Sequence, residues 1–245
     1  MRLMKEKLFL LNHLLNVDSK KLDKMIESFG LDKCIEIYKN LAKVIVLDEI
    51  EFQIFLDFAY YDIALSEILF TLLRHQENHV KAFLANQFND YPVQIEARPS
   101  NYTKTKYYFK IPVGVNKFLD IRTHNYTHGP VDYYDAIKTL DFGDVNLIMF
   151  HLPELMIARF SNNPNILDDL DKTRQLRNYV YHHNMLYSLG KSELESSIQR
   201  VLINLPNQEL KLFYLKKINS LSLKGDEKNK ELYSKIKVNI TLWKK

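Results

Sequence analysis

The sequence predicts a mainly α-helical (all-α) fold that is interrupted by an insertion of loops and a short strand at about residues 91–129. Of the 245 residues, 46% are hydrophobic, which is enough to build a real core. Only six Gly and seven Pro are present, and Leu, Lys, Ile and Glu recur at helical spacing. An ordered, helix-rich domain is therefore expected, and disorder is not.

Helical signals begin at the N-terminus. The apolar run that starts the chain is broken by Asn12 and His13 and ends in charges, so it predicts an amphipathic helix and not a signal peptide. Asp18 or Ser19 can cap a second helix, which Gly30 ends. Asp32 is expected to start a third helix.

The segment from Glu51 to about Phe88 contains no Gly and no Pro, which predicts one or two long helices. Its apolar runs are interrupted by Asp57, Asp62 and Glu67. No membrane-spanning segment is therefore expected.

From residue 91 to 129 the composition changes, because Pro and Gly recur around the β-prone segment KYYFKIPV. This pattern predicts a loop-rich insertion with a short strand or hairpin. Helical patterning resumes at about Val131, breaks between Ser161 and Pro164, and continues in a helix from about Ile166 to Leu189. Further helices are predicted at about 191–204, 206–222 and 226–241.

Charge and cysteine content limit the chemistry. The net charge is +4, but the part from Lys211 to Lys245 holds ten Lys against three acids. This basic segment suits phosphate contacts and equally suits solubility. Cys34 is the single cysteine, so no intramolecular disulfide can form and the reducing cytoplasm fits best. No Cys/His set has zinc-ligand spacing, and no cofactor or metal is expected.

The most informative stretch is RNYVYHH, residues 177–183, within the predicted helix 166–189. Arg177, Asn178 and His182 bring together a permanent cation, an amide and an imidazole, the groups needed to bind and cleave a phosphodiester without a metal. With eight Arg and eight His in the chain, an Arg-x4-His match is expected by chance roughly 0.26 times. Requiring Asn after the Arg lowers this to roughly 0.02.

Helical geometry separates these residues. At about 100° per residue, Arg174, Asn178 and His182 form one stripe, while Arg177 lies about 140° from His182. Arg177 must then wrap across the helix or serve an interface that a second helix completes. A purely structural alternative is that Arg174 and Arg177 pair with carboxylates such as Asp169 or Asp171.

The stretch LRNYVYHHNML resembles the RN-x-x-x-H signature of HEPN domains, and in particular the matching segment of bacterial Abi (abortive infection, AbiD/AbiF-like) proteins. The aromatic-Gly pair Phe142-Gly143 and the long helix through Glu77 are similar to that family as well. The resemblance implies an HEPN-like helical bundle at about 45–90 and 131–204, an insertion at about 91–130 and a basic helical segment at about 205–245. Because the flanking helices look unable to bury their apolar faces separately, one composite domain over 1–245 is expected.

The resemblance also implies a function. HEPN ribonucleases cleave RNA without a metal, and Arg177, Asn178 and His182 would be the catalytic residues, supported by Arg174, His183 and Glu77. One motif per chain implies a homodimer with two copies facing one cleft. Tyr181 stands where the family often has a small residue, and Met185 where it often has a basic one, so Tyr181 could narrow access to the imidazole.

Two other groups of residues are candidates. His75 and His79 have the i, i+4 spacing of zinc ligands but lack a convincing third ligand, so surface histidines are expected. In the insertion, cations alternate with aromatic residues against the single acid Asp120, a composition that suits RNA or a half-buried hairpin with its Lys outward. The RNA-binding candidates are Lys104, Lys106, Tyr107, Tyr108, Lys110, Lys117 and Arg122, with His124, Tyr126 and His128 beside them.

Three functions are compatible with these patterns. The first is a phage-defence ribonuclease that cleaves RNA as a homodimer. The second is a non-catalytic protein that holds a small non-coding RNA. The third is a helical interaction module, such as one half of a toxin and antitoxin pair.

Overall fold

A computed structural model describes residues 2–87, 92–98, 106–123, 131–182, 184–223 and 230–242. Over these residues the chain is mainly helical, with a small antiparallel sheet in the predicted insertion. The prediction of a mainly helical fold is therefore confirmed. None of the described helices is both long and apolar enough to span a lipid bilayer.

The described helices are α1 (Arg2–His13), α2 (Ser19–Phe29), α3 (Leu31–Ile45), α4 (Phe52–Gln87), α5 (Tyr133–Thr139), α6 (Phe142–His151), α7 (Glu154–Phe160), α8 (Ile166–Tyr181), α9 (Lys191–Ile203), α10 (Gln208–Asn219) and α11 (Lys230–Ile236). The described strands are β1 (Leu14–Leu15), β2 (Ile50–Glu51), β3 (Pro92–Arg98), β4 (Lys106–Gly114), β5 (Lys117–Thr123) and β6 (Val131–Asp132). A short 3-10 helix spans Leu186–Leu189. Residues 1–72, 176–203 and 207–245 form one compact unit, and residues 73–175 and 204–206 form a second.

Capping signals account for the start of the first unit. The Asp18 side chain accepts the Lys21 N–H at 2.8 Å and caps α2, as one of the two predicted caps. Gly30 has a φ of +80°, which favours glycine, and α3 begins directly after it. Val46 ends α3 with a φ of +58°, which is unusual for a β-branched residue.

The core of the first unit is built around the first part of α4. Phe55, Phe58 and Leu65 are fully buried there. Two acids on the same helix are also buried, and each accepts a hydrogen bond: Asp57 from the Tyr233 hydroxyl at 2.7 Å and Asp62 from the Leu186 N–H at 3.0 Å. Two of the three acids that interrupt the apolar runs of the sequence therefore attach later segments to α4.

The second unit contains the sheet. β4 lies between β3 and β5 and is antiparallel to both, and β6 pairs with β3. Side chains alternate across a strand, so Phe109, Ile111 and Val113 of β4 share one face. These three are buried in one hydrophobic cluster with residues of α4 to α6 and α8.

The insertion contains more strand than the sequence predicts. In place of a short strand or hairpin it forms three longer strands, and the short β6 lies after it in sequence. β3 is missing from the sequence prediction, although Val93, Ile95 and Ala97 alternate with Gln94, Glu96 and Arg98 as in a half-buried strand. In the structure β3 pairs with β4. The predicted site residue Lys104, and His124, Tyr126 and His128, lie outside the described residues.

The helix that carries RNYVYHH is shorter than predicted. α8 ends at Tyr181 and not at Leu189. The Asn184 N–H donates to the Tyr179 carbonyl at 3.0 Å, a six-to-one bond of the kind that closes helices. After this bond, the Leu186 N–H donates a hydrogen bond to the Asp62 carboxylate. This partner lies 124 residues away in sequence, so local patterning cannot reveal it.

The two last helices are also shorter than predicted, at 208–219 and 230–236. After α11 the backbone bonds to side chains in place of continuing the helix. The Val238 N–H donates to the Tyr61 hydroxyl, and the Ile240 N–H donates to Asn219, each at 3.0 Å. By contrast, α4 is one unbroken helix, which is one of the two outcomes that the lack of Gly and Pro predicts.

Candidate functional site

The three predicted catalytic residues lie at the C-terminal end of α8. Arg177 and Asn178 are half-buried in its last turns, and His182 is exposed directly after it. The His182 N–H still donates to the Asn178 carbonyl at 3.1 Å. The backbone of His182 is therefore held in register with the helix, while its imidazole faces solvent. His183, a predicted supporting residue, lies outside the described residues.

The Arg177 side chain lies against an aromatic pair. Its guanidinium carbon is 4.0 Å from the centroid of the Tyr181 ring. The Tyr181 ring in turn stacks on Phe70 of α4, with centroids 4.6 Å apart and an interplanar angle of 25°. Stacking on a ring leaves the edge of a guanidinium able to donate to an oxyanion. Tyr181, which the sequence marks as a departure, thus supports the Arg177 guanidinium.

Arg174 pairs with a carboxylate, which is the structural alternative that the sequence leaves open. Its Nε and Nη2 donate to one Asp171 oxygen at 2.9 and 2.8 Å. This contact is the main cause that lowers the pKa of the Asp171 carboxyl group. An added Cβ at Gly143 would lie 3.9 Å from Arg174 Cδ, so the aromatic-Gly pair of the sequence lies beside this arginine. The supporting role of Arg174 in catalysis stays a prediction.

The acids and histidines of the second part of α4 have local partners. Glu77, the last predicted supporting residue, forms an ion pair with Lys81 at 2.9 Å, and its side chain is only 13% exposed. His75 is exposed as expected, but His79 is half-buried and stacks on Phe160 at 5.0 Å. Burial lowers the pKa of His79. Within the described ranges, no three His, Cys, Asp or Glu side chains are grouped closely enough to hold a metal ion.

The outer face of the sheet collects several of the predicted RNA-binding residues. Tyr108 of β4 lies opposite Arg122 of β5 and Glu96 of β3, and directly paired residues share a face. By alternation, Lys106 and Lys110 lie on this face too. Tyr107 has the parity of the buried Phe109 and lies on the opposite side, and Lys117 lies at the end of the hairpin, opposite Gly114.

The sheet also brings in two residues that the sequence pattern missed. The Arg98 guanidinium lies 4.5 Å from the Tyr108 ring centroid and bonds to Glu96 at 2.7 Å and Asp120 at 2.5 Å. The bond to Arg98 lowers the pKa of Glu96. The composition of 102–122 shows Asp120 as the single acid, but β3 adds Glu96 to the same face. Because β3 adds one cation and one acid, the net charge of this face stays the same, but Glu96 and Asp120 pair with Arg98 on it.

A cavity that the sequence did not predict lies beside the motif in the first unit. Its volume is about 390 Å³, and its lining includes Asp62, Ile63, Ser66 and Phe70 of α4 with Val180 and Asn184. Lys33 of α3 and Glu67 complete the polar part of the lining. Asp62 is 5% exposed, and burial is the main cause that raises its pKa to about 7. The one signal in the sequence is an acid placed within an apolar run.

Comparison with protein-family models, with curated proteins and with solved structures finds no match. Fold and site geometry alone therefore place this chain among mainly helical proteins that carry an Arg-Asn-x3-His motif at a helix end.

Proposed function

We propose that this protein is a metal-independent endoribonuclease of HEPN type that acts in abortive infection, the defence of bacteria against phage. The observation that carries the proposal is the end of α8, where the exposed His182 is held to Asn178 and a stacked Arg177 lies one turn earlier. The place of action would be the cytoplasm, where the RNA is.

The chemistry follows from these three side chains. The 2′-hydroxyl of a ribose attacks the adjacent phosphorus, and the bond from phosphorus to the 5′-oxygen breaks. His182 takes or returns a proton, since an imidazole can act as acid or base near neutral pH. The Arg177 fork binds the phosphate oxygens as negative charge develops, and Asn178 orients the substrate or a neighbouring group. The products are a 2′,3′-cyclic phosphate and a free 5′-hydroxyl.

A homodimer completes this proposal. Two copies of the motif would face one cleft, so that the His182 of each chain can act together with the Arg177 of the other. The expected separation of Arg177 from His182 around the helix supports the same arrangement, because an Arg of one chain can then serve the His of the other.

RNA cleavage by the purified protein tests the proposal. We expect wild type to release 2′,3′-cyclic phosphate ends and to remain active in EDTA. His182→Ala and Arg177→Ala should each lower the rate at least about 100-fold, in the range of general acid–base effects. His75→Ala, which removes another exposed histidine, is the matched control and should cleave normally. If both motif variants cleave RNA and arrest host growth like wild type, the proposal is wrong.

The sheet supports a second candidate, a protein that holds RNA without cleaving it. Its outer face carries Lys106, Lys110 and Arg122 around Tyr108, a combination that can bind phosphates and stack on a base. Changing the three cations to Gln should reduce the slope of log affinity against log salt by about 2. The control is the triple change of Lys20, Lys21 and Lys24, which are exposed on α2, and it should keep the slope.

Copurifying nucleic acid separates the remaining possibilities. RNA that stays bound to the His182→Ala and Arg177→Ala variants, together with a wild type that does not cleave, would favour the non-coding RNA holder. A protein without nucleic acid at low salt and without cleavage activity would favour the helical toxin–antitoxin module.

A further inference from the structure

We propose that the cavity between α3, α4 and the end of α8 is a nucleobase-binding pocket that selects guanine. The inference deepens the proposed function, on which it rests for the RNA substrate. The size of the cavity, the chemistry of its lining and its position beside the motif all suit a base of an RNA chain.

The size and walls suit a flat heteroaromatic ring. A volume of about 390 Å³ lies in the range of small-molecule sites, which have mostly apolar walls and a few polar groups. Ile63, Phe70 and Val180 supply the apolar walls. Phe70 is 41% exposed although it stacks on Tyr181, so part of its ring remains open to a ligand.

The polar lining combines two carboxyl groups with the Ser66 hydroxyl, the Asn184 amide and the Lys33 ammonium group. Asp62 and Glu67 contribute carboxyl groups, and Ser66 contributes a hydroxyl. The Asp62 carboxyl group is held in place, because its Oδ1 accepts the Leu186 N–H at 3.0 Å. Each carboxylate oxygen has more than one lone pair, so Asp62 can accept further bonds from a ligand. Guanine is the base whose Watson–Crick edge presents adjacent N–H donors, at N1 and the 2-amino group.

The position links the cavity to the motif. Val180 lies between Asn178 and His182 in sequence, and Asn184 follows His182 by two residues. Phe70 borders the cavity and stacks on the ring that supports the Arg177 guanidinium. A guanine in the cavity would therefore place its ribose and phosphate next to Arg177 and His182. Flipped bases are recognised in this way, through their Watson–Crick edge and aromatic walls.

Binding of GMP and IMP tests the inference directly, because IMP lacks only the 2-amino group. Calorimetry on wild type should show GMP binding at least about 10-fold more tightly than IMP. Asp62→Asn presents an amide in place of a carboxyl group and should remove this preference. The matched control is Asp57→Asn, a buried acid on the same helix that bonds to Tyr233. It should keep the preference. Equal affinity for GMP and IMP in wild type, or binding of neither, would overturn the inference.

A second variant covers the case in which Asp62→Asn does not fold. Ser66→Trp fills the cavity from a half-buried position and leaves the Asp62 side chain unsubstituted. Loss of GMP binding with an unchanged circular dichroism spectrum supports the pocket, and unchanged GMP binding contradicts it.

Short RNAs distinguish the two possible sources of the guanine, which are the RNA substrate and a free guanine nucleotide. With cleavage-inactive His182→Ala protein, an RNA with one guanosine should bind more tightly than the same RNA with inosine if the pocket reads the substrate. A preference seen with GMP and not in RNA would assign the pocket to a free guanine nucleotide. If wild type binds GMP but does not cleave RNA, the proposed function fails while the pocket stands. If it cleaves RNA without base preference and does not bind GMP, only the pocket fails.

Discussion

The Asp62 carboxyl group is a buried acid whose pKa is shifted by its surroundings. It is 5% exposed, and desolvation raises its pKa to about 7, against the lowering effects of Lys33 and of the N–H groups of Leu186 and Tyr187. A raised pKa means that the folded state holds this proton more tightly than the unfolded chain. The contribution of Asp62 to stability is therefore full below about pH 4 and is lost as the pH rises towards 7.

Asp62→Asn should remove this pH dependence. Asn keeps an oxygen for the Leu186 N–H but does not titrate, so the free energy of unfolding of the variant should improve relative to wild type between pH 4 and 7. The relative change should approach about 1.4 kcal/mol per pH unit over that window. Urea denaturation at several pH values measures it. Ser66→Ala, one turn away and without a titratable group, is the control. A difference from wild type that is the same at all pH values would contradict the assigned cause.

Val46 carries backbone strain. It is 81% exposed with a φ of +58°, a conformation that costs an L-residue about 1–2 kcal/mol. Val46→Gly should therefore stabilise the protein by about 1 kcal/mol, or about 2–4 °C in melting temperature for this chain length. Val115 is 96% exposed and lies outside the left-handed region, so Val115→Gly should give no gain. A melting temperature that falls in both variants would show that Val46 is unstrained.

At the scale of elements, the aromatic contact between α8 and α4 decides what Tyr181 does. If it supports Arg177 through the 4.0 Å contact, Tyr181→Ala should lower RNA cleavage and should cost about 1–2 kcal/mol in stability from lost ring and cation contacts. Tyr181→Phe keeps both contacts and should behave as wild type. Faster cleavage by Tyr181→Ala would instead mean that the ring restricts access to His182.

These elements also show where sequence patterns suffice. The helix α4 was predictable because its residues lack Gly and Pro over 36 positions. The end of α8 was not, because Asp62, far away in sequence, binds the Leu186 N–H. β3 is a different case, because Val93, Ile95 and Ala97 alternate with polar residues and a local pattern for a strand is present.

Some residues of the candidate site can be found from the sequence, and others cannot. Arg177, Asn178 and His182 lie within six residues of sequence and could be found by spacing alone. Phe70, Asp62 and Lys33 come to the site from α3 and α4, more than 100 residues earlier. Long-range packing places them there, so no local pattern marks them. The ion pair between Arg174 and Asp171 spans three residues, and the sequence indicates it as one alternative.

At the scale of the whole molecule, the proposed dimer makes a quantitative prediction for mixed variants. Each chain carries one motif. If every site takes Arg177 from one chain and His182 from the other, a mixed dimer of Arg177→Ala and His182→Ala chains has one intact site and one doubly defective site.

Equal amounts of the two variants, exchanged by mild denaturation and refolding, should then give about half mixed dimers and about a quarter of wild-type cleavage activity. Each variant refolded alone should stay inactive, since all its sites lack one group. Mass measurement by light scattering confirms that dimers are present before and after exchange. If dimers form but the mixture stays as inactive as its parts, Arg177 and His182 act within one chain. If light scattering shows only monomers while wild type cleaves RNA, a single copy of the motif suffices and the dimeric arrangement is wrong.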